Sequence, residues 1–205
     1  MRAWIYDWTF KNLTVGWYRE VLQRLPDGAR LLDVGIGTGG ALCRNKELVA
    51  SKNLRVVGVD YDRDYVIRCR ERVATEGLAD RVQVELISIY DYTGETFDAV
   101  YFGASFMLMP DPRRALEHCA TLLRPGGRIY FTQTFQEKRS VVVERVKPLL
   151  KRITTIDFGK VTYEEEFLQV LRDARVDVLD NIVLGRLRAQ SYRLIVGVPA
   201  ESPSK

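Results

Sequence analysis

The chain has 205 residues with a formal net charge of +4, 46% hydrophobic and 28% charged residues, proportions of an ordinary globular domain of one α/β unit with a real core. The mild positive charge is scattered among acids, with no basic stripe interleaved with aromatics, so nucleic acid is not a favoured partner. Three cysteines (Cys43, Cys69, Cys119) without a CxxC, and one histidine, His118, exclude a disulfide framework or a zinc site and point to a reducing, cytoplasmic setting.

The opening MRAWIYDWTFKNL has its apolar residues broken by charge, unlike a secretory leader. No apolar run approaches the roughly 20 residues a bilayer span needs. Trp4, Tyr6, Trp8, Trp17 and Tyr18 make an aromatic-rich arm, which either packs on a sheet face or lies over a site. Residues 10–24 carry apolar positions at helical spacing, and LPDGAR turns the chain into RLLDVG, a short buried strand. A helix is expected over 40–50, then a second buried strand at 54–60 ending in Asp60. Asp62 is the expected N-cap of the next helix, with Gly77 its stop. VQVELIS and FDAVYFG are the third and fourth strands. Asp111 as N-cap, Pro112 at N1 and a Pro-Gly-Gly terminator bound the following helix. RIYFTQT is the fifth strand.

Residues 138–152 place Val142, Val146, Leu149, Leu150 and Ile153 on one helical face with bases on the other. Such a face is either a solvated surface or a contact for an anionic substrate or a membrane surface. Thr162 with Glu165 matches a capping box opening a helix to about Ala174. VDVLDNIVL and SYRLIVGV are joined by a link too short for a parallel crossover, so they should form an antiparallel hairpin. Strands alternating with helices before that hairpin give a doubly wound, mostly parallel sheet.

LLDVGIGTGGAL, residues 31–42, carries the chemistry. Four glycines in six residues let the chain take positive φ and let a ligand approach the peptide planes. Gly35, Gly37 and Gly40 satisfy the dinucleotide pattern G-x-G-x-x-G, while Gly35, Gly37 and Gly39 satisfy the G-x-G-x-G that S-adenosylmethionine sites favour. Asp60, ending the next strand, suits ribose hydroxyls in either case.

Over roughly residues 15–198 the chain resembles the class I S-adenosylmethionine-dependent methyltransferases, in particular their small-molecule, ubiquinone/menaquinone-methyltransferase-like subgroup. LLDVGIGTGG is similar to their first motif, including Asp33 before the first glycine, where dinucleotide folds usually carry an apolar residue. VVGVDYD resembles the second motif, FDAVYFGASFMLMPDP stands at the fourth-strand motif, and LLRPGGRIYFTQT at the fifth. The resemblance implies a seven-stranded Rossmann-like sheet in a single domain: an N-terminal aromatic arm and helix (1–25), a cofactor-binding core (26–134), an acceptor-side insert (135–175) and a terminal hairpin (176–198).

It also implies residue roles toward S-adenosyl-L-methionine. Asp33 would hold the amino group or the loop, and Gly35, Gly37 and Gly39 would pass under the methionine part. Asp60 would bind the ribose and Tyr61 lie along the adenine. Ser88 stands where the family usually has an acid, with Ile89 framing the ring and Asp91 as a substitute acid. Phe102 and Gly103 would border the cofactor at the fourth strand. YFGAS replaces the Asn/Asp-Pro-Pro-aromatic sequence of amide and ring-nitrogen methylation, and no metal site is evident. His118 lies in the wrong part of the chain for a base, so a small-molecule acceptor would be methylated in line without one, oriented by Tyr6 and Tyr101. The alternatives are an NAD(P)-dependent oxidoreductase and a catalytically silent S-adenosylmethionine-binding protein.

Overall fold

A computed structural model describes residues 2–137 and 162–200, with side chains from Leu13 onward. Helix α1 (Arg2–Arg24) leads into β1 (Arg30–Val34). Two short helices, α2 (Gly40–Cys43) and α3 (Lys46–Ser51), precede β2 (Arg55–Asp60), α4 (Arg63–Thr75) and β3 (Val82–Leu86). There follow β4 (Phe97–Gly103), α5 (Pro112–Thr121), β5 (Leu123–Gln136), α6 (Glu164–Asp173), β6 (Val176–Leu187) and β7 (Gln190–Pro199).

The seven strands run β3-β2-β1-β4-β5-β7-β6. The first five pair in parallel, and β7 enters antiparallel between β5 and β6. This is the doubly wound sheet with the expected hairpin. Strand order reverses between β1 and β4, the switch point where such sheets bind ligands beyond their carboxyl ends.

Each face of the sheet has its own core. Tyr18, Val21 and Leu22 of α1, with Leu42, Cys43, Val66 and Cys69, pack on Leu31, Val56, Tyr101, Tyr130 and Leu194. On the other face Leu116, Cys119, Phe167 and Leu171 pack on Leu32, Val57, Val100, Phe102, Phe131 and Ile195. The period-2 alternation of the strands sends neighbours to opposite faces. Hence Tyr101 belongs to the α1 side and Phe102 to the α5 side.

Local signals are mostly met. Asp62 caps α4, its carboxylate accepting from the Asp64 and Tyr65 amides, and Asp111 caps α5 through the Arg114 amide. Gly77 follows α4 at φ 71. Three expectations are corrected. The single helix over 40–50 is broken at Asn45, whose buried side chain donates to the carbonyls of Val15 and Ala41 and accepts from Arg19. Tethering to α1 outweighs continuity of a marginal short helix. Pro-Gly-Gly does not end α5: the helix stops at Thr121, and Leu123 already pairs with Phe97. Thr162 does not cap α6, which follows Tyr163 without a side-chain cap. The Thr162 carbonyl accepts from the Gln136 amide and its hydroxyl from Gln133, so its polar groups serve β5. The basic 138–152 segment lies outside the described residues.

Candidate cofactor-binding and active site

The loop after β1 is fastened from both flanks. The amides of Gly35 and Ile36 donate to the carbonyl of Val59 at 2.8 and 3.3 Å. The Gly37 amide donates to Asp60 Oδ2 at 2.9 Å, and the Asp62 amide to Asp60 Oδ1 at 2.9 Å. Asp60 is therefore a structural clamp, 8% exposed. Each carboxylate oxygen keeps a second acceptor direction for a hydroxyl.

The glycines divide by what surrounds them. Gly35, Gly37 and Gly39 sit at φ +76, +58 and +66, a region other residues enter at a cost. A Cβ at Gly35 would stand 2.7 Å from the Ser105 Cβ, and one at Gly39 2.6 Å from Cys69 Sγ. A Cβ at Gly37 would meet nothing within 4 Å. So two glycines admit the protein's own side chains, while Gly37 faces open space. Ser105 also donates to the Val34 carbonyl at 2.5 Å, fastening the chain after β4 to the end of β1.

A cavity of about 70 Å³ opens beside this loop, lined by Trp17, Tyr18, Asp33, Tyr101 and Gly103 among others. Asp33 is 2% exposed and accepts from the Tyr18 hydroxyl at 2.7 Å. Burial pushes its carboxyl up to about 7; the Tyr18 hydrogen bond opposes that rise and the charge of Asp60 adds to it. Tyr18 is raised by burial and by the Asp33 charge, so it stays a donor. Tyr101, expected to orient the acceptor, is 2% exposed and shares a 2.7 Å hydrogen bond with Thr132. Burial raises it as well. It forms the floor of the cavity under Tyr18, with ring centroids 5.0 Å apart and nearly perpendicular.

Of the arm's described side chains, Trp17 packs against Tyr192 of β7 and Tyr18 in the sheet core, and both line the cavity. Tyr6 lies in α1, but its side chain is outside the described residues. Phe102 requires a correction. Its ring is fully buried on the α5 side, stacked on Phe131 with centroids 5.4 Å apart, so its main chain alone lies along the strand end. Gly103, exposed at the end of β4, does border the cavity.

On the β2–β3 side, Tyr61 is 83% exposed beside buried Asp60. Ser88 caps a short turn, accepting from the Tyr90 amide at 3.4 Å, and Ile89 is buried beneath it. The Tyr90 hydroxyl donates to the Asp111 carbonyl at 2.8 Å and accepts from the Asp111 amide at 3.0 Å. Asp91 ends the turn, exposed. These residues follow the carboxyl ends of β2 and β3. His118 does not line the cavity; its Nε2 meets the Tyr92 carbonyl at 2.7 Å, just after the turn that ends in Asp91. Among the described residues no cluster suits a metal ion.

Sequence reading missed two partners. Tyr18 appeared only as one aromatic among five, and nothing in the local pattern ties it to Asp33 fifteen residues on. Asn45 gave a weak signal, a helix-capping residue type inside a helical stretch.

The residues fit the two ends of a nucleoside carrying an amino-acid tail: a buried acid in a small cavity, then a second acid followed by an exposed tyrosine. Comparisons agree. The model of the family described as "Methyltransferase domain" matches residues 32–131. A ubiquinone biosynthesis O-methyltransferase of Stutzerimonas stutzeri (strain A1501) is 30% identical over 178 residues, 84% of this chain and 74% of that protein. A phosphatidylethanolamine N-methyltransferase of Cereibacter sphaeroides is 26% identical over 179 residues, 86% of this chain and 84% of that one. The solved structure of a geranyl diphosphate methyltransferase in complex with SAM superposes with a TM-score of 0.70 at 16% identity, over 91% of this chain and 85% of the other. The chain belongs to the S-adenosylmethionine-dependent methyltransferase family. Its cofactor is S-adenosyl-L-methionine, and the oxidoreductase alternative finds no support.

Proposed function

We propose that the cofactor lies with its amino-acid end against Asp33 and its ribose on Asp60, and that a small-molecule acceptor takes the methyl directly, without a dedicated protein base. One observation carries this reading: Asp33 and the loop glycines Gly35 and Gly39 line one cavity at the switch point, while the chain's one histidine is not on that wall and is tied to the Tyr92 carbonyl. When bound, the cofactor supplies an electrophilic methyl group on a sulfonium.

The protein's part is placement. Asp33 holds an ammonium, and Asp60 adds ribose hydroxyls to the two amides it already binds. Tyr61 covers one side of the adenine, while Ser88 and Ile89 border it. Tyr18 and Tyr101 are both hydrogen-bonded within the fold and raised by burial, so neither serves as a proton acceptor near neutral pH. Proximity alone can supply roughly 7–11 kcal/mol of barrier reduction in well-oriented systems. The acceptor is then a group already nucleophilic near neutrality: a thiol, amine, carboxylate, acidic phenol or enol. Relatives named for a quinone precursor and for a lipid amine fall in that range. The acceptor-side segment remains 135–175 and Tyr6 a residue that orients the acceptor. Three buried free thiols fit a reducing, cytoplasmic setting, and no described helix is long and apolar enough to cross a membrane. Peripheral contact with a membrane surface rests on the basic 138–152 stretch.

With an acceptor in hand, the pH profile of kcat tests the reading. The profile should follow the acceptor's own ionisation and be unchanged in His118→Ala. A limb that disappears in that variant contradicts a base-free transfer.

A further inference from the structure

Among the described residues, the cavity beside Asp33 has one side-chain donor that the fold leaves unpaired. Trp17 is 2% exposed and its Nε1 has no hydrogen-bond partner, yet the residue lines the cavity. Its ring is held against Tyr192, with centroids 5.5 Å apart. A buried N–H without an acceptor is costly, and native structures rarely keep one without a use.

The other described side-chain donors on the wall are spent. The Tyr18 hydroxyl goes to Asp33 and the Tyr101 hydroxyl pairs with Thr132, both at 2.7 Å. Thr14 has a partner of its own. Among the described residues no lysine or arginine lines the cavity. An amino-acid tail that sets its ammonium against Asp33 brings its carboxylate into the same small space. That carboxylate loses water there and needs a donor in return.

We propose that the Trp17 indole N–H is the hydrogen-bond donor to the cofactor's α-carboxylate, making Trp17 a binding residue for the methionine end of the cofactor. The assignment rests on the reading that Asp33 faces the ammonium. Asp33 and Trp17 then form a matched pair, an acceptor for the positive group and a donor for the negative one. Tyr192 fixes the ring and Tyr18 fixes the acid. Selection for the intact amino-acid tail follows, because a thioether nucleoside without it leaves both groups unmet.

Calorimetry with two probes tests the proposal: S-adenosylhomocysteine, and 5′-methylthioadenosine, which lacks the amino-acid end. Trp17→Phe keeps an aromatic ring against Tyr192 and removes the N–H. It should weaken S-adenosylhomocysteine by about tenfold, the scale of a charge-assisted hydrogen bond, and leave methylthioadenosine within about twofold. Unchanged binding of S-adenosylhomocysteine would overturn the proposal. So would an equal loss for both probes, which would make Trp17 a packing residue. If the wild-type chain binds the two probes equally, the Asp33 reading itself fails, which is a distinct result.

Nitrogen-15 NMR of the wild-type chain gives a second readout that needs no variant to fold at position 17. The chain has three tryptophans, so Trp4→Phe and Trp8→Phe identify the Trp17 indole signal by elimination. That signal should move downfield with S-adenosylhomocysteine and stay in place with methylthioadenosine. A signal that ignores the first probe, or moves alike with both, contradicts the assignment.

Discussion

Asp33 is an acid placed where burial disfavours its charge, and its carboxyl is pushed up to about 7. Unfolded, the same group titrates near 3.9. Between these values the folded chain holds a proton the unfolded chain has released. Stability contributed by this group is therefore highest below about pH 4, declines as pH rises to about 7, and is flat above that. Asp33→Asn can still accept from Tyr18 and carries no charge. Its melting temperature should exceed that of wild type above pH 7, with the gap closing toward pH 4; parallel melting curves across that range would refute the account. Cofactor affinity has the opposite slope. An ammonium is held by the ionised acid, so S-adenosylhomocysteine should bind wild type more tightly from pH 6 to pH 8. The Asn variant should bind weakly and without that slope. Tyr18→Phe removes the hydrogen bond that opposes the upward shift. It should cost about 1–3 kcal/mol of stability and move the rise in affinity to higher pH.

The glycine loop shows how one element divides its duties. Gly35→Ala brings a Cβ against Ser105, and Gly39→Ala brings one against Cys69; both should lower the melting temperature strongly. Gly37→Ala meets open space and bears the left-handed φ alone, about 1–2 kcal/mol. Its melting temperature should drop by only a few degrees, while S-adenosylhomocysteine binding falls sharply. Normal binding by the Gly37 variant would mean that the open side of the loop is not the cradle. This element was legible because strand, acid, glycines and the acid of the next strand form a local, ordered pattern. The hairpin was legible for a similar reason, since a short link between two apolar runs permits one pairing. What stayed hidden depends on contacts remote in sequence. Asn45 breaks its helix to hold α1, Thr162 gives its polar groups to β5, and Phe102 lies one residue past a cavity-facing tyrosine. Period-2 alternation assigns Tyr101 and Phe102 to opposite faces but does not say which face is the site. Tyr18 reaches Asp33 only through packing of α1 on the sheet.

At the scale of the molecule, the reversal of strand order opens a crevice between β1 and β4, and α1 closes one side of it with Trp17 and Tyr18. The cavity is thus completed by a helix that precedes the sheet in the chain. Asp60 holds the Gly37 amide, and in the proposed binding mode the same carboxylate takes the ribose. Asp60→Ala should therefore lower stability by freeing the loop as well as weaken the cofactor; Asp60→Asn keeps one acceptor oxygen and separates the two effects. The most direct test of the whole account is calorimetric titration of S-adenosylhomocysteine, and of NAD(P) as control, into wild type, Asp60→Asn and Asp60→Ala. Two charge-assisted bonds to ribose hydroxyls contribute on the order of 1.5–3 kcal/mol each before losses. The account predicts saturable binding of S-adenosylhomocysteine, none of NAD(P), and at least about tenfold weaker binding in Asp60→Ala, with Asp60→Asn between. Binding of NAD(P) in place of S-adenosylhomocysteine, or full affinity in a folded Asp60→Ala protein, would contradict it.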